Sequence, residues 1–130
     1  MGEKGPGERG GRRGVARYVE ASLLLLLAQG RAHGWELFER LEEVFPLPAR
    51  LPDISTVYRV LADLEAQGAV RSELTPGEGG GRKVYELTDV GWDLFAFWKA
   101  LFKEEQTGLV RLLEQFERVG RGRRRRHPRS

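Results

Sequence analysis

Apolar residues recur at helical spacing along the first part of the chain. Residues 17–29 are strongly apolar without enrichment in β-branched side chains, which predicts a buried helix. Residues 34–45 carry apolar side chains on one face and acidic side chains on the other, which predicts an amphipathic helix. The apolar positions of this second helix are Leu37, Phe38, Leu41 and Phe45. Pro46 and Pro48 follow it and should end it.

The next segment, DISTVYRVLADLEAQGAV, carries signals for both ends of a third helix. A side-chain oxygen of Asp53 or Ser55 can cap its first turn, and Gly68 suits the left-handed position that ends a helix. At about 100° per residue, one stripe is apolar and contains Ile54, Val57, Leu61 and Leu64. The opposite face is unusually bare and contains Ser55, Thr56, Arg59, Ala62, Asp63 and Ala66, with Tyr58 on its flank.

Two segments with alternating apolar and polar residues follow. Residues 69–75 and 83–88 are separated by the glycine-rich stretch 76–82, which predicts a β-hairpin. An isolated hairpin is marginally stable, so this one must pack on the helices. The expected fold is mainly α with a small two-stranded β-hairpin. Two helices followed by a hairpin have the layout of a winged helix-turn-helix.

Thr88 is expected to cap a last helix over residues 89–119. Its length of about 45 Å exceeds what a small domain covers, and its apolar stripe is wide enough to need a partner. The stripe contains Phe95, Trp98, Leu101, Phe102, Leu109, Leu112, Leu113 and Phe116. A second copy of the chain is the simplest partner. The alternatives are that the helix folds back on its own domain, or that Gly108 breaks it into two segments.

The charge of the chain is concentrated at its ends. Residues 1–17 carry a net charge of +3 and residues 120–130 a net charge of +6, whereas the remaining 11 basic and 17 acidic residues give the middle −6. Residues 1–16 and 120–130 are rich in glycine, proline and charge, which predicts a disordered basic arm and a disordered arginine-rich tail. Either end can contact phosphates or simply be solvated.

The bare face of the third helix suits an approach to nucleic acid. Small residues permit close approach, hydroxyl groups bind phosphate, and arginine reads guanine or phosphate. Arg82 and Lys83 lie at the hairpin tip, where they would contact the minor groove or the backbone. The alternative interpretations are an ordinary solvated helix face and a mobile turn with incidental charge.

Three motifs in order resemble the PadR-like transcriptional regulators. They are the second helix with Gly34, Trp35, Glu36 and Leu37, the third helix with Thr56, Tyr58, Leu64, Glu65 and Gly68, and the hairpin with Gly81, Arg82, Tyr85, Leu87 and Thr88. The resemblance covers roughly residues 17–118. It implies a winged helix-turn-helix over 17–88 and a long C-terminal dimerisation helix over 89–119.

The resemblance also implies residue roles. The DNA-binding residues that it implies are Ser55, Thr56, Tyr58 and Arg59 on the third helix, with Arg82 and Lys83 on the wing. His33 stands where the family often has tyrosine, and is expected to pack or cap rather than bind a ligand. Some members bind flat aromatic effectors near the dimer interface, and by analogy Phe95 and Trp98 would line such a site.

Other function classes find little support. The chain has no cysteine and two histidines, and no phosphate loop, nucleophile elbow or metal-ligand spacing is present. We therefore expect no catalytic residues, metal or cofactor, and no enzyme. The longest apolar run is too short to span a bilayer, so we expect a cytoplasmic protein. The sequence favours a homodimeric, sequence-specific repressor that binds operator DNA. The alternative is a winged-helix module for protein or RNA interaction.

Overall fold

A computed structural model describes residues 6–77 and 81–126, with side chains for 14–77 and 81–124. It contains four α-helices, a short 3₁₀-helix and three strands. In chain order these are α1 (Pro6–Ala28), β1 (Ala32–His33), α2 (Gly34–Val44), the 3₁₀-helix (Pro48–Arg50), α3 (Ile54–Ala66), β2 (Val70–Thr75), β3 (Arg82–Leu87) and α4 (Asp89–Arg126). The chain forms two compact units, one ending at Ala96 and the other beginning at Phe97.

The core of the first unit lies where α1, α2 and α3 meet. The leucine-rich half of α1 supplies most of it, and α2 and α3 each contribute the stripe predicted from their spacing. The largest fully enclosed side chains are Val19, Leu23, Leu24, Leu26, Leu37, Leu41, Val57, Leu61, Leu64 and Val70. Val60 on α3 is also buried, so the buried face of that helix is wider than predicted. This burial fixes which face of α3 remains open to solvent.

The sheet contains one strand more than predicted. Its order is β1-β3-β2 and all pairs are antiparallel. Val70 pairs with Leu87 and Thr75 with Arg82, which confirms the hairpin. The additional strand β1 pairs His33 with Val84. A strand of two residues has no detectable alternation, so only the tertiary pairing reveals it.

The ends of α3 and α4 meet through a tight hydrogen-bonded joint. Gly68 ends α3 with a φ of +80°, as predicted for a left-handed cap. The Thr88 hydroxyl donates to the Gly68 carbonyl at 2.5 Å and accepts from the Gly91 amide at 3.1 Å, so Thr88 caps α4 as expected. A methyl group on Gly91 would collide with the Ala69 carbonyl oxygen.

Two helices run beyond the predicted boundaries. α1 begins at Pro6 rather than near residue 17, and α4 continues to Arg126 rather than ending at 119. Proline is well tolerated in a first helical turn, and arginine both favours helix and complements the dipole at a C-terminus. Residues 1–5, 78–80 and 127–130, which include parts of the predicted arm, hairpin tip and tail, lie outside the described residues. α4 passes through Gly108 as one helix, so no break occurs there.

Candidate nucleic-acid interface

Asp53 is the residue that caps α3. Its side chain accepts a hydrogen bond from the Thr56 amide at 2.8 Å, which resolves the choice between Asp53 and Ser55. This backbone bond, aided by the Thr56 hydroxyl, lowers the pKa of Asp53, and the nearby Arg59 charge acts in the same direction. The Thr56 side chain is half-buried and engaged with the cap, whereas Ser55 is exposed. Ser55 is therefore the freer of the two predicted hydroxyl contacts.

Arg59 lies on the open face of α3. Its side chain is exposed, as are those of Ala62 and Ala66, because the apolar stripe on the opposite side is buried. The small alanine side chains leave the arginine without bulky neighbours on that face. A guanidinium in this setting can approach a flat or grooved polyanion closely.

Tyr58 is positioned by a glycine on the neighbouring helix. Its ring lies against Gly34 at the start of α2, and a methyl group at Gly34 would approach the Tyr58 Cζ atom to 2.8 Å. Tyr58 nevertheless retains 44% of its surface exposed. The absence of a Cβ at Gly34 therefore leaves the space that the Tyr58 ring occupies.

The wing is attached to the start of α2 through His33. The His33 Nδ1 atom lies 3.1 Å from the Lys83 carbonyl oxygen, which can only accept, so Nδ1 carries the hydrogen. The His33 amide donates to the Glu36 carboxylate at 2.9 Å, and His33 is the N-cap residue of α2. The expected packing or capping role is therefore what this histidine performs. The Arg82 and Lys83 side chains remain exposed on β3.

A groove of about 730 Å³ separates α3 from the wing. Its walls come from the start of α2, from α3 and from β3, and its lining includes Trp35, Tyr58, Ala62, Glu65, Arg82 and Lys83. Tyr58, Arg82 and Lys83, three of the six residues predicted to bind DNA, thus share one groove. Ser55 and Arg59 are exposed on α3 but are not part of the groove lining. Trp35 was a motif position in the sequence and not a predicted site residue, because only the packing of α2 on α3 places it in the same groove as Tyr58.

The two residues predicted for an effector site have separate aromatic partners. Phe95 contacts Trp92 with ring centroids 5.5 Å apart, and Trp98 stacks on Phe102 at 5.5 Å. Both residues are half-buried. The effector site therefore stays a prediction.

Among residues 6–77 and 81–126, no group of three or more acidic or histidine side chains is placed to hold a metal ion. Within the same part of the chain, no helix is long and apolar enough to cross a membrane. Elsewhere around the hairpin, Arg71 pairs with Glu86 at 3.0 Å and Arg31 with Glu73 at 3.6 Å, so these four charges are paired with one another.

Comparison with solved structures supports the fold. A conserved protein of unknown function described as a potential transcriptional factor is 30% identical, with a TM-score of 0.69, 93% of this chain covered and 99% of that chain. A PadR family transcriptional regulator from Eggerthella lenta is 29% identical, with a TM-score of 0.60, and the match covers 71% of this chain and 80% of that chain. A PadR family transcription regulator from Clostridium difficile, at 21% identity, shares the fold with a TM-score of 0.65, and the match covers 74% of this chain and 98% of that chain.

Sequence comparison identifies the family. No protein of curated function matches this chain significantly. The model of the transcriptional regulator PadR-like family matches residues 23–96, a span that contains α2, α3, the wing and the start of α4. Together with the winged helix and its long C-terminal helix, this match shows that the chain belongs to the PadR-like family of transcriptional regulators.

Proposed function

We propose that the protein is a homodimeric, sequence-specific DNA-binding repressor that excludes other proteins from its operator. The observation that carries the proposal is the open face of α3, where Arg59 and Ser55 are exposed on a helix that shares a groove with the basic wing residues Arg82 and Lys83. Arginine can read guanine in the major groove, and the wing cations can bind the adjacent backbone. A cytoplasmic location follows from this proposed role.

Dimerisation is supported by the C-terminal half of α4. Leu109, Leu112, Leu113, Phe116 and Val119 are between 52% and 67% exposed in the single chain. An apolar surface of this extent normally meets a partner. A second copy would supply an identical surface, and a two-fold dimer would present two recognition helices to a two-fold operator.

Regulation by a flat aromatic effector is the third part of the proposal. Phe95 and Trp98 are half-buried, so they have remaining surface on which a ring could stack. Titration of aromatic acids against tryptophan fluorescence tests this part. A response that is lost in Trp98→Leu supports it, and a flat response with operator binding retained contradicts it.

The first experiment is binding to the DNA upstream of the protein's own gene, against a scrambled duplex and across a salt series. We expect preference for the upstream duplex and a steep loss of affinity with salt. Arg59→Ala should weaken operator binding by about 1–3 kcal/mol if the side chain reads a base. Arg111→Ala, which removes another exposed arginine, on α4, is the charge-matched control.

The outcomes separate the proposal from its alternative. Equal binding to both duplexes, or unchanged affinity in Arg59→Ala, contradicts sequence reading by α3. A preference for RNA or for a protein partner over duplex DNA would favour the interaction-module interpretation. Derepression of a reporter on deletion of the gene would support repression, whereas loss of expression would indicate activation.

A further inference from the structure

The groove between α3 and the wing combines two kinds of surface. Trp35 is 51% exposed and Tyr58 is 44% exposed, so two aromatic rings border it from the helical side. Arg82 and Lys83 border it from β3. Apolar rings facing cations suit an occupant that is itself part apolar and part anionic.

We propose that this groove holds the sugar–phosphate backbone of one DNA strand, with Arg82 and Lys83 on a phosphate and Trp35 and Tyr58 against the adjacent deoxyribose. The inference rests on the proposed function and adds Trp35 to its contact residues. A deoxyribose offers apolar C–H edges that pack on aromatic rings, and the phosphate beside it is ionised at neutral pH. The groove's volume of about 730 Å³ can admit one such unit with solvent around it.

The charges along the groove give the backbone a defined position. Glu65 also lines the groove, and its carboxylate accepts a hydrogen bond from the Ser72 hydroxyl at 2.8 Å. A phosphate would be repelled from that carboxylate and attracted toward Arg82 and Lys83. The DNA strand is therefore held on the side of the groove that carries Arg82 and Lys83.

Gly34 acts in this scheme as a positioning residue. Because it has no Cβ, the Tyr58 ring can lie over the start of α2, where a methyl group would approach Cζ to 2.8 Å. The opposite wall of the groove is β3. The His33 contact with the Lys83 carbonyl, at 3.1 Å, attaches β3 to the start of the same helix, α2. The glycine and this hydrogen bond together set the separation of the two walls.

Gly34→Ala tests the arrangement without changing any charge. The predicted collision involves the far end of the Tyr58 side chain, which can swing away, so the domain should still fold. We expect affinity for operator and scrambled duplexes to fall by about five- to tenfold alike, since an apolar backbone contact is lost. The slope of affinity against salt should not change, because no phosphate contact is removed.

A double-mutant cycle distinguishes positioning from a general effect on folding. If Gly34 acts through Tyr58, adding Gly34→Ala to Tyr58→Ala should cause no further loss of affinity. Thermal melting of each variant reports separately on folding. An undiminished effect of Gly34→Ala in the Tyr58→Ala background would overturn the positioning role.

Trp35 and Lys83 test the two halves of the contact. Trp35→Ala should weaken binding about fivefold with an unchanged salt slope, and Trp35→Phe should restore most of it. Lys83→Ala should reduce the magnitude of the salt slope by about 1. Ethylation of one phosphate per half-site should interfere with the wild type but add nothing in the double variant Arg82→Ala/Lys83→Ala, which lacks both cations of the proposed contact. Trp92→Ala, which removes a comparably exposed tryptophan at 48%, is the matched control.

Failure of this inference is distinguishable from failure of the proposed function. Operator preference that depends on Arg59 but is unaffected by Trp35→Ala and Gly34→Ala would refute the groove contact alone. Absence of operator preference in the wild type would refute the proposed function, and the groove contact with it.

Discussion

The most exposed apolar residues of α4 give a quantitative test of dimerisation. Phe116 is 67% exposed in the single chain, and complete burial of such a side chain contributes about 1.5–3 kcal/mol. Covering the exposed two thirds would therefore contribute about 1–2 kcal/mol per copy, or about 2–4 kcal/mol per symmetric dimer. At about 1.4 kcal/mol per factor of ten, Phe116→Ala should raise the dimer dissociation constant roughly 30- to 1,000-fold.

Sedimentation equilibrium over a wide range of protein concentration measures this constant directly. Thr107→Ala is the control, because Thr107 is exposed on the other side of α4 and its hydroxyl donates to the Lys103 carbonyl within the same helix. Circular dichroism should show similar helix content in both variants at concentrations where the wild type is dimeric. An unchanged dissociation constant in Phe116→Ala, or a wild type that stays monomeric throughout, would refute the reasoning.

Three further predictions concern stability. Asp53→Ala should lower Tm at neutral pH. Because Thr56 lowers the folded-state pKa of Asp53, the stabilisation by the Asp53 carboxylate is present above its unfolded-state pKa and is lost as pH falls through its folded-state pKa. The Tm difference between the wild type and the variant should therefore shrink in acid. Gly91→Ala should lower the free energy of unfolding in urea by about 1–3 kcal/mol, because the new methyl group meets a backbone carbonyl. The control Gly108→Ala, whose new methyl group has no neighbour within 4 Å, should leave that free energy unchanged or raise it. Equal effects of the two substitutions would contradict the packing at the start of α4. Leu61→Ala should destabilise by about 2–5 kcal/mol, since Leu61 is fully buried; a loss below about 1 kcal/mol would be inconsistent with its place in the core.

Much of the fold follows from local sequence signals. The leucine-rich stretch of α1, the amphipathic spacing of α2 and the cap residues of α3 are each read from a few neighbouring positions. The hairpin follows from alternation around a glycine-rich turn, and the predicted pairing of its strands is confirmed. Helix ends were less accurate, because glycine lowers helix propensity without forbidding helix and arginine favours it, as the extension of α4 to Arg126 illustrates.

The residues of the candidate site were only partly predictable from local sequence signals. Helical periodicity identified the open face of α3, because the buried stripe of a helix determines which side remains exposed. It could not identify the groove, because Tyr58 and Lys83 lie on separate elements that come together through the packing of α3 on α2 and the pairing of β1 with β3. A two-residue strand carries no pattern that predicts such pairing.

The sequence by itself determined the four α-helices, the hairpin, most of the buried face of each helix and the family, since each depends on residue types at short spacing. The tertiary structure decided that the Tyr58 ring packs against Gly34, that His33 contacts the wing at Lys83 and that Trp35 lines the groove. These are contacts between segments whose separation is set by packing and strand register. Spacing along the chain encodes which residues prefer burial, but the distances between elements arise only when their surfaces pack together.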